Sequence, residues 1–205
     1  MMLKSERIAE LLERADKPDE TDPFVIAPRP DIQDLRDKGA ASIDLRLGTW
    51  FVTLREARMG HLAVDHKSVE SQLTRKQYVP FGKSYYLHPR SFVLSVTLEW
   101  IRLPGNLAAY VIGRSSWGRR GLIIATATGV HPGFKGCLTL ELSNVGELPI
   151  EIKPGMRICQ LCIHTVDAGT TPHIDSSQFV GSRMPSLGSI DHDDLSKRLA
   201  KANTL

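Results

Sequence analysis

Apolar residues form one helical pattern near the N-terminus and many short alternating runs after it. Residues 5–15 place apolar side chains at helical spacing between Ser5, a suitable N-cap, and Pro18, which prevents continuation, so the pattern predicts a short helix. Residues 17–30 are rich in Pro and Asp, which predicts a loop. Helical periodicity is weak in the rest of the chain, so we expect a mostly β protein.

The β pattern begins at residues 41–54, where apolar and polar residues alternate around Gly48 and predict two strand segments joined by a turn or bulge. No clear pattern covers residues 61–76. From Tyr78 onward, seven short apolar segments are each ended by Pro, Gly or Asn: YYLHP, SFVLSVTLEWIRL, LAAYVIG, LIIATATG, GCLTLELSNV, LPIEIKPG and RICQLCIHTV. Repeated short strands of this kind are typical of a sandwich or barrel. Residues 115–121 are too polar for a core strand and predict one helical turn.

Length and composition suit one domain, because 205 residues with 41% hydrophobic content can bury a single sizeable core. We divide it into an N-terminal helix and loop (1–39), a β core (40–168) and a C-terminal tail (169–205). The tail is rich in Ser, Gly, Pro and Thr, which predicts mobility, and residues 191–203 could form a short terminal helix.

Charge argues against a nucleic-acid partner, because 26 basic and 23 acidic residues give a net charge of only +3, without a contiguous basic tract. A local group at Arg114, Arg119 and Arg120 suits a small polyanion better than a duplex. No segment approaches the roughly 20 apolar residues that cross a bilayer. The charged, amphipathic N-terminus does not resemble a signal peptide. We therefore expect a cytoplasmic protein without a membrane partner.

Two short motifs have simple explanations. Cys159 and Cys162 form a C-x-x-C pair inside a predicted strand, where a separation of three directs the thiols to opposite faces, so we expect core packing and no metal site. Cys137 is the third cysteine, and three cysteines do not form a disulfide framework. Residues 82–84, Gly-Lys-Ser, lack the glycine and the helix pattern that a phosphate loop requires.

Residues 113–161 carry the most specific pattern: GRSSWGRRGL, then TATGVHPGFKGCLTLELSN, then LPIEIKPGMRICQL. Together with SIDLRLG at 42–48 and YYLHPRSFVLSVTLEWIRLPGNL at 85–107, this resembles the trimeric dCTP deaminase and dUTPase superfamily, and its deaminase branch in particular. The resemblance covers about 40–166 and the N-terminal helix. It implies a distorted, dUTPase-like jelly roll and a homotrimer with active sites between subunits.

The Arg-Ser-Ser sequence at 114–116 suits phosphate and water, because Arg114 offers a planar fork of donors and the serines add hydroxyl groups. Alone, such a tripeptide would more often be a polar turn. The resemblance implies that Ser115 holds the attacking water, that Ser116 contacts phosphate and that Arg119 lies against the catalytic carboxylate.

Glu141 is the candidate general acid/base. It lies in CLTLELSN, where Leu138, Leu140 and Leu142 share one face of a predicted strand and Glu141 is on the other. A solvent-facing strand carboxylate is the ordinary alternative. The resemblance places Glu141 where the deaminases carry their catalytic glutamate, and hydrolytic deamination needs one group that takes a proton from water and delivers protons to the base.

The hairpin around residue 130 implies base recognition. Thr126 and Ala127 resemble the segment whose backbone pairs with the pyrimidine edge, while Phe134 packs near the sugar or base, or simply in the core. His131 departs from many relatives, which carry an acidic residue before the proline. In dUTPases an aspartate there positions the sugar and hydrolytic water, so His131 argues against dUTP hydrolysis. The preceding strand is one residue short, which leaves the register before Thr126 open.

The tail sequence QFVGSRMPSLGS at 178–189 is the counterpart of a segment that closes over the triphosphate in deaminases, with Phe179 and Arg183 as candidate contacts. Zinc is not expected, because no histidine begins the His-x-Glu motif of zinc deaminases. Magnesium is expected to bind mainly through the triphosphate.

The predicted reaction is therefore deamination of dCTP to dUTP and ammonia, which feeds dUMP and dTTP synthesis, with dTTP as a candidate inhibitor. Two alternatives stay open. One is a dUTPase or a bifunctional enzyme that also releases pyrophosphate. The other is a nucleotide-binding regulator without turnover.

Overall fold

The computed structural model describes residues 1–54, 73–126, 128–167 and 181–188. Three helices lie in these ranges: α1 (Ser5–Arg14), α2 (Ile32–Lys38) and α3 (Ser115–Gly118). The strands in the same ranges are β1 (Val25–Ala27), β2 (Ile43–Leu54), β3 (Thr74–Tyr78), β4 (Tyr85–Leu87), β5 (Phe92–Arg102), β6 (Leu107–Gly113), β7 (Leu122–Ile124), β8 (Gly129–Val130), β9 (Lys135–Asn144), β10 (Ile150–Ile152) and β11 (Arg157–Thr165).

The described strands form a curled antiparallel sheet in the order β7-β9-β5-β2-β11-β6-β8, with β1 added to β5 and β3 added to β2. β10 and β4 form a separate pair. The first part of β2 pairs with β11, whereas its later part pairs with β5 and β3. Because β2 changes partners along its length, the sheet folds over itself. The fold is a mostly β, distorted jelly roll, as the sequence predicted.

The predicted bulge near Gly48 is confirmed. The pairing of β2 with β5 shifts register between Leu47 and Phe51, and the pairing of β5 with β9 shifts between Val96 and Trp100. A Cβ at Gly48 would lie 2.9 Å from the Val96 carbonyl oxygen, closer than a real Cβ tolerates. Glycine therefore lets the two backbones approach where the sheet bends.

Helix α1 packs one face into the core, with Ile8, Ala9 and Leu12 fully buried. The N-cap prediction was wrong: Lys4 is the N-cap and Ser5 is the first helical residue. The Ser5 amide donates to the Ala40 carbonyl, and its hydroxyl is buried without a hydrogen-bond partner. A contact distant in sequence therefore fixes this helix end.

Three described elements were not predicted: β1, α2 and β3, which begins inside the stretch 61–76 where the sequence has no clear pattern and pairs with β2. β1 lies inside the predicted loop at 17–30, and it forms because Ile26 pairs with Ile101 of β5. Helix α2 is capped by Asp31, whose carboxylate accepts from the amides of Gln33 and Asp34. Such a cap is a local signal that the sequence does contain.

The predicted turn at 115–121 is confirmed by α3. Most of the predicted mobile tail, including the terminal helix at 191–203, lies outside the described residues; residues 181–188 are described. Every helix in the described part of the chain is too short or too polar to cross a bilayer.

Candidate active site

A cavity of about 530 Å³ lies beside β9, between its polar face and the hairpin that contains β8. Most of the side chains around it are apolar, with a few polar residues among them. The described residues around it are Phe92, Leu94, Val111, Thr126, Gly129, Val130, His131, Pro132, Gly133, Phe134, Cys137, Leu138, Thr139, Glu141, Ser186 and Leu187. An apolar cavity with a few convergent polar groups is the usual form of a small-molecule site.

Glu141 reaches this cavity because β9 alternates as predicted. Leu140 and Leu142 are fully buried, while Glu141 between them is only partly buried. The Glu141 amide donates to Oγ1 of Thr126 at 3.0 Å, and its carbonyl accepts from the Ala125 amide at 2.8 Å. The segment after β7 therefore fixes the main chain of Glu141 and places the Thr126 side chain beside it.

The hairpin residues His131 to Phe134 form a tight turn on the cavity wall. The Phe134 amide donates to the His131 carbonyl at 3.2 Å, and Gly133 has a φ of 76°. Pro132 followed by a glycine of positive φ is the sequence that a type II turn requires. The turn leaves His131 exposed at the cavity and packs Phe134, which also lines the cavity, against the core. The core position of Phe134 is confirmed, and its contact with the sugar or base stays a prediction.

The described part of the tail, residues 181–188, lies along the first half of β9. The Gly181 amide donates to the Lys135 carbonyl at 2.6 Å, and the Cys137 amide donates to the Ser182 carbonyl at 2.9 Å. Through these bonds Ser186 and Leu187 become part of the cavity wall. Sequence patterns missed both residues, because a tail without periodicity gives no signal for a packed position.

Arg183 is exposed and lies close enough to Cys137 to influence its thiol. Burial raises the pKa of Cys137, and the Arg183 charge lowers it by less. Arg183 follows Ser182, whose carbonyl accepts from the amide of the cavity residue Cys137, so Arg183 lies near the margin of the cavity. The other candidates from this part of the sequence analysis, Phe179 and Ala127, lie outside the described residues.

The second group of predicted residues lies on α3. Ser115, Ser116 and Arg119 are exposed, and none of them is among the described residues that surround the cavity. Leu122 pairs with Asn144, so the helix that precedes Leu122 lies beyond the end of β9. Asn144 is three residues past Glu141, about 10 Å along a strand. Within one chain, therefore, Arg119 lies apart from Glu141, the carboxylate with which the resemblance pairs it.

The sequence did not predict the polar cluster in which Arg114 lies. Its guanidinium pairs with Asp44 of β2, which in turn contacts Arg157 and Gln160 of β11. These residues come from distant parts of the chain, so spacing gave no signal for the cluster.

The three cysteines are buried free thiols. Burial raises the pKa of Cys159 to about 12, so this thiol stays protonated at neutral pH. Metal ligation requires the thiolate. Cys159 fits the core role predicted for it.

Comparison with known proteins shows the family to which the chain belongs. A model of the dCTP deaminase-like family matches residues 3–166, and the chain belongs to this family. A dCTP deaminase, dUMP-forming, of Mycobacterium avium is 43% identical over 146 residues, which are 70% of this chain and 74% of that protein. The enzyme of the same name from Methanobrevibacter smithii is 37% identical over 150 residues, 73% of this chain and 74% of the relative.

The fold has a solved counterpart. The crystal structure of 2'-deoxycytidine 5'-triphosphate deaminase from Agrobacterium tumefaciens aligns with a TM-score of 0.57 at 21% sequence identity. The alignment covers 79% of this chain but only 47% of that chain. At this identity the similarity supports the jelly-roll architecture and nothing finer.

Proposed function

We propose that the chain catalyses the hydrolytic deamination of dCTP. The observation that carries the proposal is the position of Glu141, a strand carboxylate that faces a largely apolar cavity beside Thr126 and His131. Membership of the dCTP deaminase-like family and the names of the relatives support the same substrate.

In the proposed mechanism, a water molecule attacks C4 of the cytosine ring. Glu141 accepts the proton of this water and passes it to ring N3, which gives a tetrahedral intermediate. A second proton transfer through Glu141 lets the amino group leave as ammonia, and the C4 carbonyl forms. One carboxylate can carry out both transfers because it is the base in the first and the acid in the second. Backbone groups near Thr126 and the side chain of Phe134 would hold the base.

The phosphate side of the site is proposed to come from α3. Arg114 and Ser116 would bind phosphate oxygens, and Ser115 and Arg119 would organise the water and the carboxylate. Because these residues do not surround the cavity of their own chain, we propose that α3 of a second copy completes each site. A homotrimer with three shared sites satisfies this requirement.

Metal is proposed to play a part only through the nucleotide. The described residues contain no cluster of three or more His, Cys, Asp or Glu side chains that could hold an ion. A magnesium ion would therefore take its ligands from triphosphate oxygens and water, as this ion commonly does. Deamination itself is proposed to proceed without zinc.

The product remains the point on which two candidate functions differ. His131 occupies a position where dUTPases use a carboxylate, which favours release of dUTP. The relatives, in contrast, are named as dUMP-forming, which favours a second step that releases pyrophosphate.

One assay separates these candidates. The protein is incubated with dCTP and with dUTP in separate reactions, and ammonia and pyrophosphate are measured in each. Ammonia from dCTP without pyrophosphate supports the dUTP-forming enzyme, and equal amounts of both products support the bifunctional one. Binding of dCTP without either product would leave the non-catalytic regulator, and would refute the proposed function.

A further inference from the structure

Asp44 lies in a row of paired residues that crosses the neighbouring strands β2, β11 and β6. Asp44 of β2 is directly opposite Gln160 of β11, and Gln160 is directly opposite Ile112 of β6. Arg114 follows Ile112 by two positions, so the two lie on the same side of the chain. The strand register alone therefore brings Asp44 within reach of Arg114.

Contacts fill both oxygens of the Asp44 carboxylate. Oδ1 lies 2.6 Å from Nη1 of Arg114 and accepts from Nε2 of Gln160 at 3.2 Å. Oδ2 lies 3.3 Å from Nη1 of Arg157. The side chains of Asp44 and Arg114 are 20% and 29% exposed, so water screens this pair less than a surface pair.

The Arg114 guanidinium has an inner and an outer part. Its Nη1 atom is buried, and the nearby Asp44 carboxylate holds this atom by charge, without a well-aligned hydrogen bond. The exposed area of the side chain therefore belongs to its other atoms. Arginine binds phosphate through a planar fork of donors, and a guanidinium whose plane is already held in place loses less freedom when it binds.

Arg114 also begins α3, because its carbonyl accepts from the amides of Trp117 and Gly118. The Trp117 indole donates to the Arg157 carbonyl at 2.8 Å. Asp44 contacts the side chains of both arginines, so the carboxylate links the α3 motif to β11. The two guanidinium groups outnumber the one carboxylate, which leaves the cluster attractive to an anion.

We propose that Asp44 is a positioning residue that orients Arg114 for the phosphates of the nucleotide. The inference rests on the proposed function, since it concerns the affinity of the same site for its substrate. Asp44 acts through Arg114 and touches neither the base nor the water. Its loss should therefore weaken phosphate binding and leave the chemical step intact.

The test uses Asp44→Asn, which keeps the size of the side chain and removes its charge. We expect the KM for dCTP to rise about tenfold, the effect of losing one charge-assisted contact. The kcat should stay within about twofold, because binding and chemistry are separate here. The inhibition constant of inorganic tripolyphosphate should rise by the same factor as KM, while that of deoxycytidine should not change.

Two further variants show whether Asp44 acts through Arg114. In an Arg114→Gln background, Asp44→Asn should have little additional effect on KM, because its partner is already missing. Asp44→Glu retains the charge and should recover part of the affinity. Asp16→Asn is the control: it breaks another aspartate–arginine pair, with Arg29 at 2.7 Å, that includes neither α3 nor any residue around Asp44, and it should leave KM unchanged.

A fall in kcat at constant KM, or parallel losses of tripolyphosphate and deoxycytidine binding, would overturn the inference. Additive effects in the double variant would overturn it as well. If Asp44→Asn does not fold, Asp44→Glu is measured instead. The inhibition constant of tripolyphosphate should again rise relative to that of deoxycytidine. If the wild-type protein deaminates dCTP and Asp44→Asn has the wild-type KM, only the role of Asp44 is refuted. A wild-type protein that ignores dCTP refutes the proposed function.

Discussion

The carboxylate of Glu99 lies against the main chain of Arg46, whose amide donates to Oε2 at 2.8 Å while Nη1 lies 3.1 Å from Oε1. The Glu99 side chain is 3% exposed, whereas that of Arg46 is 44% exposed. Burial raises the pKa of Glu99, and the hydrogen bonds from Arg46 lower it by less. A buried carboxylate outside the proposed site therefore makes stability depend on pH.

Glu99→Gln should remove this dependence. Because the pKa of Glu99 in the folded protein is above its ordinary value of 4.5, the folded chain keeps a proton that the unfolded chain releases. The stabilising contribution is complete below that ordinary value and is lost as the pH rises through the higher pKa of the folded state. The melting temperature of the variant, relative to wild type, should increase between about pH 4 and about pH 7. The exposed loop variant Glu147→Gln is the control, and a relative decrease for Glu99→Gln would mean that the pairing with Arg46 outweighs burial.

Glu141→Gln should abolish most turnover and leave the fold intact. Glutamine keeps the shape of the side chain but cannot accept the proton of water, so kcat should fall by about 10² to 10⁴. Ammonia release measures the effect, and circular dichroism with a melting curve checks the fold. Glu147→Gln again serves as the control. Wild-type ammonia release from the Glu141 variant would mean that another group transfers the protons.

Gly48→Ala should destabilise the β core. The new Cβ would lie 2.9 Å from the Val96 carbonyl oxygen and 3.0 Å from its Cγ2 atom, and neither backbone can easily retreat from a paired strand. We expect a loss of about 1 to 3 kcal/mol in the free energy of unfolding, measured in urea. Gly105→Ala is the matched control, since its Cβ would meet only Asp22 at 3.7 Å. Equal stability of the two variants would contradict the close approach of β2 and β5.

Asn144→Ala should be more harmful than its position at a strand end suggests. Its amide nitrogen donates to the carbonyls of Leu87 and Leu148, and its amide oxygen accepts from Gly146. Asn144 is fully buried, so the alanine variant leaves three main-chain groups without a partner. A loss of about 2 to 4 kcal/mol is expected in the same urea titration. The exposed Asn106→Ala should cost much less, and a similar cost for both would show that water replaces the Asn144 contacts.

The β core and one half of the site could be predicted because their signals are local. Alternation along β9 placed Leu140 and Glu141 on opposite faces, and the structure confirms this. Asp44, Arg114 and Arg157 could not be grouped in advance, because they meet only when β2, β6 and β11 pair. The same reason explains β1, a three-residue strand that depends on β5 for its hydrogen bonds.

The register shift in β5 makes chain length, as well as residue identity, a constraint on this protein. Between the pairs Val96–Thr139 and Trp100–Cys137, three residues of β5 stand opposite one residue of β9. Deleting one of the residues 97–99 would exchange the inward and outward faces of the strand beyond them, expose Ile101 and detach β1. A deletion in the exposed turn at 81–83, between β3 and β4, should leave these strand pairings in place. Length variation in functional variants should therefore occur in turns such as 81–83 and be absent from residues 97–99. A library of single-residue deletions selected for folding can measure this.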